Sequence, residues 1–239
     1  MNLSVDCGNT RIKFGVFNNR ELIEHGTSDY EDGMRVLTGL KEKYSISQVI
    51  ISDVSGKLDD WLFSAKDSLI WLDHSVGLPI ENNYKTPKTL GNDRIAGVVG
   101  GYAKFPGKNV LVIDAGTCIT YDFLDAEGKY IGGAISPGIE MRLKAMHTFT
   151  GKLPLVSFEK KIPLIGTNTV ECLQAGAING TIAEIEQTIV RYKDAFADLE
   201  VVLTGGDLDF LADALKSNIF ADSFIVLKGL NEILLYNTH

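Results

Sequence analysis

The chain has 239 residues, about one and a half domains at the usual ~150 residues per domain, and enough to build a core without disulfide or metal staples. Its 31 acidic and 23 basic side chains leave a formal charge of −8, and no basic cluster is longer than Lys160–Lys161, which argues against a nucleic-acid or anionic-membrane surface. Cys7, Cys118 and Cys172 show no CxxC spacing, the opening MNLSVDCGNT lacks the basic and long apolar regions of a signal peptide, and no apolar run approaches the ~20 residues of a membrane span; a soluble cytoplasmic protein is expected.

The opening LSVDCGNTRIKFGVF predicts a strand, a polar turn and a second strand, with Ile12, Phe14 and Val16 alternating. A third strand is expected over Arg20–Thr27. Met34, Leu37, Leu40 and Tyr44 then stand at helical spacing within residues 31–44. Strands at Gln48–Asp53 and Ser68–Leu72 are expected to flank a helix near Leu58–Lys66. Residues 77–92, with Pro79, Pro87 and Gly91, read as irregular. A helix over Asn92–Phe105 follows, with Asn92 as N-cap and Asp93 in its first turn.

The second half restarts at Asn109. VLVIDAGTCITYDFL again predicts strand, turn and strand, and a third strand follows the Glu127–Gly128 turn. Helices are expected over Gly138–Thr148 and Val170–Ala195. A strand (Glu200–Thr204), a Gly-Gly turn, a helix (Leu208–Leu215), a strand (Phe224–Leu227) and a terminal helix complete the chain.

Asp6-Cys7-Gly8 and Asp114-Ala115-Gly116 stand 108 residues apart, each between two strands. The pattern suggests one βββ-α-β-α plan used twice, giving two mixed sheets flanked by helices. Glycine after a strand lets backbone approach a phosphate, and an adjacent aspartate suits a cation that shields phosphate charge. Thr10 and Thr117 add hydroxyls, and Lys13 adds a point charge. Thr204-Gly205-Gly206-Asp207, at a strand end before a helix, suits a flat ligand such as adenine. Asp93 in Leu90-Gly91-Asn92-Asp93-Arg94 is either a dipole-complementing acid or a general base. Other phosphate and catalytic signatures are missing: there is no GxG spacing, no GxSxG and no HExxH. Gly101–Asn109 fails as a Walker A loop, being one residue too long and ending in Asn109 where Ser or Thr is required. The four dispersed histidines suggest no metal cluster.

DCGNTRIK, DAGT and TGGD resemble the two phosphate motifs and the adenosine motif of the acetate/sugar kinase, Hsp70 and actin superfamily. GNDR at Gly91–Arg94, GGAISPG at Gly132–Gly138, Leu153-Pro154 and NTVECLQAG at Asn168–Gly176 make the chain similar to type III pantothenate kinases. The resemblance runs from Asp6 to about Leu230. It implies an α/β fold of two duplicated ribonuclease H-like/actin-like halves, residues 1–107 and 108–239, each a mixed sheet flanked by helices, with a nucleotide cleft between them. The chain departs from the family pattern at Ser52-Asp53-Val54-Ser55-Gly56 and at Thr150-Gly151-Lys152, both away from the catalytic set.

The resemblance also implies roles. Asp6, Cys7, Gly8, Asn9, Thr10, Arg11, Ile12 and Lys13 line the ATP phosphates, with Asp6 near Mg2+, and Thr117 is a further ATP contact. Tyr84, Gly91, Asn92, Asp93 and Arg94 contact pantothenate, Asp93 being the catalytic base. Thr169 reaches pantothenate across a homodimer interface, and Asp114 holds a monovalent cation, K+ or NH4+. The implied reaction converts ATP and pantothenate to ADP and 4′-phosphopantothenate, the first step of coenzyme A synthesis, with no nucleic-acid or membrane partner. Pairing of Arg94 with the pantothenate carboxylate is inferred from guanidinium chemistry. Two rivals remain: a small-molecule kinase with another substrate, and a non-catalytic regulator of the Bvg accessory factor type. Cys7 and Cys118, beside the two turns, fit small buried thiols better than redox sensors.

Overall fold

The structure, a computed structural model, describes residues 1–8, 10–53 and 68–238; Asn9 and the helix expected near Leu58–Lys66 lie outside them. The chain opens on a meander of β1 (Asn2–Cys7), β2 (Ile12–Asn18) and β3 (Glu21–Ser28), paired antiparallel. Helix α1 (Tyr30–Lys43) follows, its first turn capped by Asp29, whose carboxylate accepts from the Asp32 N–H. Strand β4 (Gln48–Asp53) runs parallel to β1, and β5 (Ser68–Trp71) runs parallel to β4. The sheet order is therefore β3-β2-β1-β4-β5.

After the two-residue strand β6 (Glu81–Asn82), a 3-10 turn (Pro87–Thr89) leads into α2 (Asn92–Lys104). The plan then repeats. Strands β7 (Asn109–Ala115), β8 (Cys118–Leu124) and β9 (Lys129–Pro137) precede α3 (Ile139–Thr148) and α4 (Thr169–Ala195). Then come β10 (Leu199–Thr204), α5 (Leu208–Ala214), β11 (Phe220–Ala221) and α6 (Ile225–Thr238). Only two residues join β7 to its hydrogen-bonded neighbour β8, a connection open to antiparallel strands alone. Strand β10 is parallel to β7, and β11 to β10. Read from β9, the order is β9-β8-β7-β10-β11, the same 3-2-1-4-5 order as in the first sheet, with β6 added beyond β9.

Both sheets are mixed, and each has helices packed on it. Leu3, Val5 and Cys7 of β1 face α1, packing with Leu37 and Leu40. On the other face of β1, the Asn2 amide donates to Asn231 Oδ1 of α6 at 3.0 Å. In the second sheet Leu111, Ile113, Val201 and Leu203 pack under Ile185 and Ile189 of α4 and Leu208 and Leu211 of α5.

Two compact units result. The first comprises Met1–Gly107, Leu124–Gly132 and Phe224–His239, and the second Lys108–Phe123 and Gly133–Ser223. The turn after β8 and the terminal helix pack with the first unit. The strand expected at Phe224–Leu227 is instead the start of α6. Ile225, Val226, Leu227, Leu230, Ile233 and Leu234 are all buried, so the helix is apolar around most of its girth, with Lys228 and Glu232 one turn apart on its partly exposed side. Gly229 lets it approach α2 so closely that a Cβ would lie 1.8 Å from the Ala96 carbonyl oxygen. At the start of α2 the N-cap is Gly91, not Asn92. The Asn92 side chain turns away to donate to the Leu72 carbonyl at 2.7 Å.

Candidate active site

Asp6, next to last in β1, is almost fully buried, and the Ser52 hydroxyl of the neighbouring β4 donates to its Oδ1 at 3.2 Å. The β1–β2 register sets Lys13 directly opposite Asp6, which puts the acid and the base on one face of the sheet. Between them the Gly8 N–H donates to the Arg11 carbonyl at 3.1 Å, while the Gly8 carbonyl accepts from the Tyr30 hydroxyl at 2.6 Å. The backbone donor that the sequence reading offered to a phosphate is thus used to close the turn. Thr10 and Arg11 are exposed, Lys13 is half-buried and Ile12 belongs to the core. Burial, then the nearby charges of Asp53 and Asp6, push the Cys7 thiol up to about 12, so it stays protonated at neutral pH.

The second turn follows the same logic. Asp114 is half-buried near the end of β7, and the Gly116 N–H closes the turn on the Cys118 carbonyl at 3.0 Å. Two other segments brace it. The Gly138 N–H donates to the Thr117 carbonyl at 3.1 Å, and a Cβ at Gly138 would sit 2.0 Å from the Gly116 carbonyl oxygen. The β10–β7 register puts Thr204 beside Asp114, and the Asp207 N–H donates to the Ala115 carbonyl at 3.0 Å. Gly205, at φ +104°, makes that approach possible. The TGGD and DAGT motifs, separate in sequence, therefore form one strand-end platform. Burial and the neighbouring Glu140 raise the pKa of Asp207. At Gly116 no atom of the described residues lies where a Cβ would project.

At the start of α2, Asp93 is half-buried and its Oδ1 accepts from the Arg94 N–H at 2.8 Å. A Cβ at Gly91 would lie 2.5 Å from that same oxygen, so the glycine leaves the carboxylate its place. The buried Arg94 guanidinium lies over the Tyr84 ring, 5.6 Å from its centroid, and Tyr84 stacks on Tyr130 at 5.9 Å. The structure thus gathers an acid, a guanidinium and an aromatic face from Tyr84–Arg94. Thr169 is the exposed first residue of α4, capped by Asn168. Its neighbour Glu171 accepts from the Thr167 N–H at 2.8 Å and from the Thr167 hydroxyl at 2.7 Å.

Tyr30 and Tyr130 act on site residues from other elements and show in the sequence only as ordinary helix and strand positions; Ser52, expected to lie away from the catalytic set, instead donates its hydroxyl to Asp6 Oδ1. For cations, Asp6 and Asp114 offer hard carboxylate oxygens of the kind Mg2+ and K+ prefer. Among the described residues no three His, Cys, Asp or Glu side chains converge. A protein that supplies one carboxylate and leaves the rest of the shell to phosphate and water suits Mg2+ bound with a nucleotide. No helix among the described residues is long and apolar enough to cross a membrane.

The profile of the family described as Type III pantothenate kinase matches residues 2–191. The Type III pantothenate kinase of Bacteroides fragilis (strain YCH46) is 46% identical over 242 residues, covering 99% of this chain and 98% of its own. That of Christiangramia forsetii is 46% identical over 240 residues, covering 99% of both. Among solved structures, a Campylobacter jejuni protein of the Baf family, described as a transcriptional activator, superposes with a TM-score of 0.65 at 23% identity and 98% coverage of both chains. A ROK family protein from Streptococcus pneumoniae gives 0.53 at 11% identity, again with 98% coverage of both. Those two likenesses bear on the fold alone, the duplicated actin/Hsp70-like kinase architecture.

Proposed function

The chain belongs to the type III pantothenate kinase family, and from that membership we propose that it transfers the γ-phosphoryl group of ATP to the primary hydroxyl of pantothenate. The products are ADP and 4′-phosphopantothenate, and the step opens coenzyme A synthesis in the cytoplasm. The observation that carries this reading is the end-to-end match to relatives named for that activity.

Phosphoryl transfer depends on alignment and charge neutralisation more than on covalent chemistry. Asp93 accepts the proton of the attacking hydroxyl. Its carboxylate is held at the first turn of α2 by one N–H and left room by Gly91. Arg94 binds the pantothenate carboxylate, with its guanidinium plane supported by Tyr84. Lys13 and the hydroxyls of Thr10 and Thr117 contact the phosphates, and the open space beside Gly116 leaves room for one of them to come close. Asp6 would hold Mg2+ and Asp114 a monovalent cation, K+ or NH4+; these cations supply fixed positive charge against the phosphate oxygens.

The partner in solution is a second copy of the chain. Phe149, Leu155, Leu164 and Ile165 of the second unit are between 65% and 84% exposed, and large apolar side chains this exposed favour cover. Thr169, four residues after Ile165, would then serve the partner's pantothenate. ADP release by the purified protein with ATP, Mg2+ and pantothenate, in K+ against Na+, tests the activity. Turnover that requires pantothenate and rises in K+ is expected; none under any cation overturns the reading.

A further inference from the structure

The GGAISPG segment finds no ligand role in the proposed reaction, yet its last residue braces the Asp114–Thr117 turn. What holds the segment is a charged cluster built from four elements of the second unit. The Arg142 guanidinium of α3 reaches back, its Nε donating to the Pro137 carbonyl and its Nη2 to Ser136 Oγ, each at 2.8 Å. The same Nη2 pairs with Glu184 Oε2 of α4. Glu184 Oε1 accepts from the Tyr121 hydroxyl of β8 at 2.9 Å, and the Tyr121 side chain is buried. One guanidinium therefore grips two consecutive residues, Ser136 and Pro137, and anchors them to a carboxylate on a long helix. The next residue, Gly138, is the one whose N–H holds the Thr117 carbonyl and whose backbone lies against Gly116.

The chain of contacts is short and stiff. Ser136–Gly138 are three successive residues, and Gly138 has no side chain that could absorb a shift. A displacement of the Ser136–Pro137 backbone is passed directly to the Gly116–Thr117 peptide. Burial alone would push the Glu184 carboxyl up, but the donors from Arg142, Ser136 and Tyr121 outweigh it and leave its pKa lowered, so the anchor stays charged at neutral pH.

We infer that Arg142, held by Glu184 and Tyr121, is a positioning residue for the nucleotide and monovalent-cation side of the site, acting through Ser136–Gly138 on the Asp114–Thr117 turn. This rests on the proposed roles of Asp114 and Thr117. It assigns no contact with pantothenate, which separates it from Asp93 and Arg94.

The test uses the full chain with Arg142→Lys, which keeps the charge but loses the two-directional grip of the guanidinium. Four quantities are compared with wild type: the Kd for ADP by calorimetry, the half-saturating K+ concentration, the KM for ATP and the KM for pantothenate. Expected are rises of about 10-fold in the ADP, K+ and ATP constants, with the pantothenate KM within about twofold. An equal change in all four, or no change beyond a lower melting temperature, overturns the inference by showing a merely structural role. Asp114→Asn, measured alongside, tests the reading beneath it. If Asp114→Asn leaves the ADP and K+ constants at wild-type values, that reading fails and this inference with it. If Asp114→Asn shifts them and Arg142→Lys does not, the inference alone fails. Should Arg142→Lys not yield folded protein, Tyr121→Phe removes one support of Glu184 and is expected to move the same constants two- to threefold; unchanged constants overturn the proposal.

Discussion

The guanidinium of Arg94 lies 5.6 Å from the centroid of the Tyr84 ring, and Tyr84 is itself stacked on the fully buried Tyr130. A planar cation held over a ring is preorganised to meet a planar carboxylate, and a lysine ammonium is not. Arg94→Lys is expected to raise the KM for pantothenate about 10-fold, the worth of one lost bidentate contact, while kcat changes less than threefold. Steady-state kinetics with pantothenate varied at saturating ATP reads this directly. A pantothenate KM equal to wild type would remove Arg94 from substrate binding.

Asp93 can be displaced without touching its chemistry. A Cβ at residue 91 would meet Asp93 Oδ1 at 2.5 Å, and the carboxylate, at the end of a rotatable side chain, would be what gives way. Asp93→Asn should lower kcat by about 10²–10⁴-fold, the usual contribution of a general base. Gly91→Ala should lower it by about 10–10²-fold with an unchanged circular dichroism spectrum, because a base misplaced by about 1 Å loses most of its advantage. Full activity in Gly91→Ala would mean that the carboxylate position at the start of α2 is not limiting.

Gly138 and Gly116 face one another across a contact that only one of them needs for folding. A Cβ at Gly138 would lie 2.0 Å from the Gly116 carbonyl oxygen, a backbone atom that cannot move aside. Gly138→Ala is expected to destabilise by about 3 kcal/mol or more, seen as a lower urea midpoint. Gly116→Ala has open space and should cost less than about 1 kcal/mol, yet weaken ADP binding by about 10-fold if a phosphate uses that space. Equal destabilisation by the two variants would contradict this division of roles.

The motifs were legible because strand alternation and strand-end glycines are local signals, and the repeated Asp-x-Gly turn announced a duplication that the shared strand order bears out. What stayed hidden is tertiary. Phe224–Leu227 reads as a strand because its four residues are apolar in a row, and burial of most of α6 against α2 and the sheet leaves only the narrow stripe of Lys228 and Glu232 to mark a helix. Asn92 reads as an N-cap because asparagine usually is one, but the Leu72 carbonyl claims its amide. Likewise, two turn glycines looked like phosphate donors until their N–H groups proved to close their own turns. Arg142 carries no local mark at all; its role depends on Glu184, 42 residues away.

The cysteines should separate by environment. Cys7 is fully buried and its thiol is held protonated, whereas Cys172 is exposed at the first turn of α4. Alkylation by iodoacetamide requires access and the thiolate, so the exposed Cys172 should react while Cys7, buried and held protonated, remains unmodified until the protein is denatured. Peptide mass spectrometry after brief labelling checks this. Modification of Cys7 in the native protein would show that the first turn opens to solvent.

Glu184 makes stability depend on pH in a direction that can be worked out. Burial raises its pKa, hydrogen bonds from Arg142, Ser136 and Tyr121 lower it by more, and the folded value lies below the ordinary 4.5. A depressed carboxyl binds its proton more weakly in the folded than in the unfolded chain. Its contribution is therefore present in full above the unfolded value and is lost as pH falls through the folded one. Glu184→Gln should be less stable than wild type by about 1 kcal/mol at pH 7, a modest figure because Arg142 and Glu184 remain partly exposed. The gap should narrow as pH falls through the folded value and the wild-type carboxyl also becomes neutral. Urea midpoints of the two proteins at pH 7, 5 and 3.5 measure it. A gap of equal size at all three values would mean that the loss arises from packing of the amide, and that the charge of Glu184 contributes nothing to holding Arg142.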